Sequence, residues 1–259
     1  MTKYEKISVL ARETAKRISA NREEWIRYLD VASRLYKYPF EDQILIYAQR
    51  PDATACASLE MWNEKMFCWV NRGAKGIALL DGESERPRLR YVFDVTDVHK
   101  AKRIGRDPFI WHLREEHKEA VLAGLEHIYG STNDSLSFES RIYEIAAGIA
   151  EDFYEEAVDE VIDAAANSFL EDLDGDVVSV RFREMLVQSV SYIVLKRCGC
   201  DMTEFADDFT FDYIHEFNTL RTLSVLGSST SELCEPMLVQ IGRTIARYNR
   251  EAARKQIPS

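Results

Sequence analysis

The chain has 259 residues, 46% of them hydrophobic, with only 6 Pro and 11 Gly. That is enough apolar material for one large core or two ordinary ones, and it excludes a fibrous or largely disordered chain. The net charge of −11 is split unevenly: residues 1–107 carry 20 Lys/Arg against 16 Asp/Glu, a net of +4, and residues 108–259 carry 13 against 28, a net of −15.

Only the first part therefore suits a phosphate backbone, which the second would repel. The charged start Met1-Thr2-Lys3-Tyr4-Glu5-Lys6 lacks a following apolar segment, and no run of about 18 apolar residues occurs anywhere. A secretory leader and a membrane span are thus not expected, and the reading is a cytoplasmic protein. An odd set of cysteines (Cys56, Cys68, Cys198, Cys200, Cys234) without framework spacing reads as reduced thiols.

In chain order, Ile7, Leu10, Ala11 and Ile18 predict a first amphipathic helix. Ser19 or Asn21 is placed to cap a second, with Glu23 and Glu24 in its first turn and Trp25, Leu29, Ala32 and Tyr36 on one stripe. Pro39 ends it. A third helix is predicted from about Phe40 to Arg50, closed by Pro51, and a short one over Ser58 to Met66. The pattern then turns strand-like. Phe67–Val70 and Ile77–Leu80 flank Asn71-Arg72-Gly73-Ala74-Lys75-Gly76, which predicts a hairpin with a basic tip. Leu89–Val95 is a third strand, alternating Leu89, Tyr91, Phe93 and Val95 against Arg90, Val92 and Asp94. Arg86-Pro87-Arg88 adds positive charge to its entry.

Beyond Asp107-Pro108 the chain reads as helices near 108–129, 138–170, 176–197, 203–224 and 230–254. The clearest loops are Gly130–Asp134 and Gly227-Ser228-Ser229. The predicted fold is α+β: a small antiparallel sheet of about three strands with N-terminal helices over residues 1–107, then an acidic all-helical domain over 108–259. The short basic connection Lys100–Arg106 lets the two share an interface and extends the positive edge.

Catalytic motifs are missing. There is no Walker loop, GxGxxG, HExxH or GxSxG, so no enzyme, cofactor or metal is expected. His112 and His117 are five apart, about 140° around a helix, and cannot grip one ion as an i, i+4 pair does. Cys198-Gly199-Cys200 is too close for a CxxC knuckle. Asp172-Leu173-Asp174-Gly175-Asp176 has the wrong order for a calcium loop and reads as an acidic turn. The informative block is Tyr36–Phe40, Tyr47–Thr54, Trp62 and Trp69–Gly76, which interleaves aromatics, cations and amides. Bases stack on such rings while Arg and Lys hold phosphates. On residue chemistry alone the alternative stays open that Trp25, Tyr36 and Trp62 are core and that Gly73 and Gly76 only shape a turn.

The run from Trp25 through Tyr47-Ala48-Gln49-Arg50-Pro51, Trp62 and Val70-Asn71-Arg72-Gly73-Ala74-Lys75-Gly76-Ile77 resembles the N-terminal domain of ArdC-type antirestriction proteins. A narrower resemblance, extending around Asn167–Leu173 and Phe217-Asn218-Thr219, is to the N-terminal region of large conjugative-element proteins of Gram-positive gut bacteria. Those proteins continue into DNA methylase and Snf-type helicase segments. The resemblance implies single-stranded-DNA binding and a role in helping a mobile element survive transfer. The HExxH metalloprotease-like domain common in ArdC proteins is not in this sequence, so no proteolytic role is carried over.

On this reading Arg72 and Lys75 contact phosphates, flanked by Arg50 and Lys37; Trp69, Tyr38 and Tyr47 stack on bases; and Asn71 and Gln49 bond to base edges or sugars. At least one of the three aromatics is expected to be buried, because the third helix is apolar on more than one side. A second reading uses the stretch Glu151–Asp176, which holds eleven acids and no Lys or Arg. There Glu155, Glu156, Asp159 and Glu160 dock on the basic channel of a host-defence nuclease, a restriction enzyme or CRISPR effector. The blander account of the same acids is a solvated helix face. A third possibility is a scaffold domain linking larger catalytic segments.

Overall fold

The computed structural model describes residues 1–82, 88–108 and 110–255. Three helices open the chain. Helix α1 (Lys3–Ile18) starts from a capping box in which Thr2 Oγ1 accepts the Glu5 N–H and the Glu5 carboxylate accepts the Thr2 N–H. Helix α2 (Arg22–Arg34) is capped by Asn21, whose Oδ1 accepts the Glu24 N–H. Helix α3 (Phe40–Gln49) begins directly after Pro39, whose φ of −64° suits a helix entry. Seven of its ten residues are buried, so its all-round apolar sequence reflects a helix enclosed by others.

Five short strands follow: β1 (Cys56–Ser58), β2 (Cys68–Val70), β3 (Ile77–Asp81), β4 (Arg88–Asp94) and β5 (Val98–Lys100). The short helix expected over Ser58 to Met66 forms over residues 59–65 and ends as a π turn, Met61–Lys65. The strands form two antiparallel sheets, one of order β1-β4-β3 and a ribbon of β2 and β5. The expected hairpin between Phe67–Val70 and Ile77–Leu80 is therefore corrected. Strand β2 pairs with β5 and β3 with β4, and the glycine loop crosses from one sheet to the other. The two segments have nearly equal apolar character, and which partner each takes is a long-range choice.

The two alternating sets of β4 also separate by burial. Val92 and Asp94 are buried while Tyr91 is exposed. Burial of a carboxylate is possible because Asp94 is filled with donors: the N–H groups of Thr54 (2.7 Å) and Ala55 (3.0 Å) on one oxygen and of Thr96 (3.0 Å) on the other. Arg90, on the same face, reaches Asp42 of α3. Arg88 opens β4 opposite Asp81, while Arg86 and Pro87 lie outside the described residues.

The second half contains α4 (Lys118–Tyr129), α5 (Phe138–Ala164), α6 (Gly175–Cys198) and α7 (Leu220–Lys255). Three expectations fail here. Residues 110–114 are not helical, and α4 starts only after a 3₁₀ turn at Glu115–His117. No helix forms over 203–219; two 3₁₀ turns, Thr203–Phe205 and Ile214–Glu216, stand there instead. Phe209 and Phe211 are two apart, about 200° around a helix, yet both are buried and their rings stack at 6.1 Å. The chain leaves helical geometry to bury both.

Thirdly, the loop expected at Gly227-Ser228-Ser229 lies inside α7. A Cβ on Gly227 would lie 2.0 Å from the Phe40 ring. The glycine marks a close approach of α3 to α7, not a chain break. The core runs on past residue 107 without interruption. One hydrophobic cluster joins Ala11 to Ile245. Trp25 Nε1 donates to Ser189 Oγ (3.1 Å), Tyr192 Oη donates to Asp30 (2.8 Å), and Lys196 pairs with the same carboxylate at 2.9 Å. Among the described residues no helix is long and apolar enough to cross a membrane.

Candidate nucleic-acid interface

The ribbon of β2 and β5 is the exposed part of the first half. Its register sets Trp69 opposite His99 and Cys68 opposite Lys100. Alternation along β2 turns Cys68 into the protein, 1% exposed, and Trp69 out to solvent, 46% exposed. Asn71 closes the ribbon: its N–H donates to Asp97 O (2.8 Å) and its Oδ1 lies 2.7 Å from His99 Nδ1. The outward side of the ribbon thus presents Trp69, His99 and Asn71 together. Next comes the turn in which Ala74 N–H donates to Asn71 O (3.0 Å), with Gly73 left-handed at φ +89°.

Arg72 and Lys75 stand on that turn, exposed. At the other end of the ribbon the connection after β5 folds back, with Arg106 N–H donating to Met66 O (2.8 Å). This brings exposed Lys102, Arg103 and Arg106 beside the start of β2, with the Arg106 guanidinium 5.8 Å from the Phe67 ring centre. Among the described residues none of these five cations makes an ion pair. Lys100 is different, since Asp107 neutralises it at 2.8 Å.

The structure separates the predicted site residues into three groups. Trp69, Asn71, Arg72 and Lys75 share the ribbon and its turn. Lys37 and Tyr38 lie elsewhere, on the α2–α3 turn; Lys37 is exposed, whereas Tyr38 is half-buried and its hydroxyl donates to Cys56 O (2.9 Å). Burial pushes the Tyr38 phenol above its ordinary range.

Tyr47, Gln49 and Arg50 have other duties. Tyr47 is the buried aromatic, 7% exposed, edge-on to Tyr28 at 6.1 Å, and its phenol is pushed up by that burial. It offers no face to a base. Gln49 is stitched to β3: Nε2 donates to Ala78 O (2.8 Å) and Leu45 O (2.9 Å), and Oε1 accepts the Ala78 N–H (3.0 Å). Its amide is satisfied by backbone and ties α3 to β3. Arg50 is held by Asp97, by Thr96 Oγ1 (2.7 Å) and by Asp52 (3.7 Å). Its charge is already met by these partners.

Trp25, Tyr36 and Trp62 are core residues. His99 and its neighbours in β5 were missed as ribbon residues. The only local signal was the basic run after them, because the pairing of β5 with β2 spans about thirty residues. His117 is a buried structural histidine: Nδ1 accepts the Arg114 N–H (3.1 Å), which leaves Nε2 to donate to Asn249 Oδ1 (3.0 Å). Asp174 caps α6.

The acidic surface lies on α5. Glu155, Glu156, Asp159 and Glu160 are exposed, spaced along one flank of the helix, and among the described residues none makes an ion pair with a cation. The acid next to them along the chain, Glu151, is gripped by Arg183 through two bonds of 2.5 and 2.7 Å. Beyond the end of α5, Phe169 stands 64% exposed on a turn fixed by Asn167, left-handed at φ +64°, and by a bond from Phe169 N–H to Asn218 Oδ1 (3.1 Å).

No family model matches this chain, and no curated protein matches it. Among solved structures it is similar to the crystal structure of the antirestriction ArdC protein from the R388 plasmid in its Mn(II)-bound form, at 12% identity and a TM-score of 0.36, over 78% of this chain and 82% of that one.

Proposed function

We propose that this chain is a non-enzymatic single-stranded-DNA-binding protein of the antirestriction type. Its ribbon holds a strand entering the cell and shields it from host nucleases. The observation that carries the reading is the exposed Trp69 between two groups of unpaired cations: Arg72 and Lys75 at one end, Lys102, Arg103 and Arg106 at the other. Stacking on an exposed ring with cations along the backbone path is the general chemistry of sequence-tolerant single-strand binding. A duplex keeps its bases stacked inside and gives Trp69 nothing to stack on. The mobile-element role rests on the ArdC resemblance of the Val70–Ile77 motif and its companions.

The test is fluorescence anisotropy of labelled single- and double-stranded DNA with the purified chain at two salt concentrations. Salt-dependent preference for the single strand is the expected result. Equal affinity for both, or no binding at low salt, would remove the reading.

A second reading has its own observation, the four exposed carboxylates of α5 that among the described residues make no ion pair. They suit a protein partner with a basic channel, such as a restriction enzyme or CRISPR effector. Co-purification with such an enzyme, abolished when Glu155, Glu156, Asp159 and Glu160 are changed to Lys, is the result it expects; binding retained by the charge-reversed chain would dismiss it.

A further inference from the structure

A cavity of about 310 Å³ opens beside the ribbon, between the α2–α3 turn, β1, the π turn and the C-terminal end of α6. Met66, immediately before Phe67, and Pro108, just past the basic connection, both line it, so cavity and ribbon share a border. Its walls are mostly apolar and aromatic, through Met61, Trp62, Tyr36, Tyr38 and Ile110. Three cations, Arg34, Lys37 and Arg197, also line it, and no carboxylate does so among the described residues. In a chain of net charge −11, a lining with positive charges only selects for an anion.

The three cations are not equivalent. Arg34 spends its donors on backbone, bonding to Ala53 O (2.9 Å), Asp30 O (3.0 Å) and Pro51 O (3.0 Å). Arg197 donates one bond, to Trp111 O (2.8 Å), and lies 3.5 Å from the centre of the Trp111 ring. It has no acidic partner among the described residues, and burial pushes its guanidinium below the ordinary range. A half-buried cation compensated by a ring and one carbonyl, with further N–H groups to spare, is a seat for a negative group. Lys37 is exposed at the same rim with its Nζ 5.7 Å over the Tyr36 ring. The third recognition element is the edge of β1. Among the described residues that strand pairs only with β4; Cys56 O on its other side is already taken by the Tyr38 hydroxyl, which leaves the remaining groups of that edge. Free strand-edge groups are donors and acceptors for a base edge.

We propose that this cavity seats one nucleotide of the bound strand, its base against Met61 and the β1 edge and its phosphate between Lys37 and Arg197. The choice of a nucleotide over other planar anions rests on the single-strand reading above. The dimensions fit a small-molecule site, for which about 300 Å³ is the lower end of the usual range.

The experiment follows tryptophan emission in the Trp69→Ala chain, where the ribbon is silent and Trp62, in the cavity wall, reports on the cavity over a constant Trp25 and Trp111 background. Thymidine 5′-monophosphate is titrated into this chain and into versions also carrying Lys37→Ala or Ala57→Leu, each checked for native circular dichroism. Saturable quenching is expected, weakened roughly tenfold by Lys37→Ala, as loss of one charge-assisted bond predicts, and lost when Ala57→Leu fills the space. Absence of saturable quenching, or quenching unaltered by either change, overturns the proposal. Displacement by inorganic phosphate at equal concentration also overturns it, because the base would then contribute nothing.

Labelled oligothymidine is titrated in parallel into the wild-type and Lys37→Ala chains. Weaker binding by Lys37→Ala ties the cavity to the strand, and unchanged binding overturns that assignment. Oligothymidine binding without mononucleotide binding sinks the cavity alone, whereas the converse sinks the ribbon reading.

Discussion

The β2–β5 ribbon and the outer flank of α5 are both charged, solvent-facing surfaces, but the fold handles their charges differently. Around the ribbon, several nearby cations are consumed internally: Arg50 by Asp97, Lys100 by Asp107, Arg90 by Asp42. What remains unpaired is a small set grouped about one exposed indole. On α5 the acids greatly outnumber the cations within reach, and Arg183 answers only Glu151. Four carboxylates are left on one flank, and the ring beside them, Tyr154, is half-buried and donates to Glu155 (3.3 Å). The contrast teaches that net charge per segment is a poor guide to a binding surface. The charges that matter are those the fold leaves without partners, and whether an apolar group capable of specific contact stands among them.

The largest expected effect tests whether these two surfaces belong to one folding unit. Phe40 joins α3 to α7 at Gly227. Phe40→Ala should cost about 3–5 kcal/mol in urea unfolding, with the Trp signals of the first half and the far-ultraviolet helix signal lost in one transition. Two separated transitions would show that ribbon and acidic helices unfold independently.

Next comes the carboxylate that anchors β4. Burial by itself would raise the Asp94 pKa, but hydrogen bonds from Thr54, Thr96 and Ala55 outweigh it and hold the group below its ordinary value. A depressed folded pKa contributes stability above the unfolded value of about 3.9 and loses it as pH falls through the folded one. Asp94→Asn should therefore destabilise the chain by about 1–3 kcal/mol at neutral pH and by less in acid, below the ordinary carboxylate range. A pH-independent loss would contradict this account.

The ribbon side of the comparison is sharpened by Trp69→Ala. Stability should change by less than about 0.5 kcal/mol because the ring is exposed, while single-strand affinity should fall by about 1–3 kcal/mol. Arg72→Ala with Lys75→Ala should lower affinity at low salt and reduce the salt slope by about 0.7 for each phosphate no longer neutralised. Unchanged slope would remove the turn from the interface. The smallest effect is expected from reversing Glu155, Glu156, Asp159 and Glu160 to Lys. The fold should be unaffected, and single-strand binding should tighten only slightly, and only at low salt, by long-range relief of repulsion. A large gain would mean that α5 lies within the DNA path.

Much of the local structure was readable from the chain. Asn21 as one of two candidate caps, Pro51 as a helix limit, and the apolar stripes of α1 and α2 are signals that act over one or two turns, where short-range sterics and hydrogen bonding dominate; α2 itself stops at Arg34, short of the Pro39 expected to end it. The same holds for Trp69, Asn71, Arg72 and Lys75, which are neighbours in sequence and stay neighbours in space. Tertiary structure decided the rest. That Tyr47 is walled in by Tyr28, that Gln49 bonds to Ala78 and Arg50 to Asp97, that β2 chooses β5, and that Gly227 admits Phe40 instead of breaking a helix all depend on partners tens to nearly two hundred residues away. A side chain's identity determines what it can bond to; only packing determines which bond is already taken, and therefore which groups remain for a ligand.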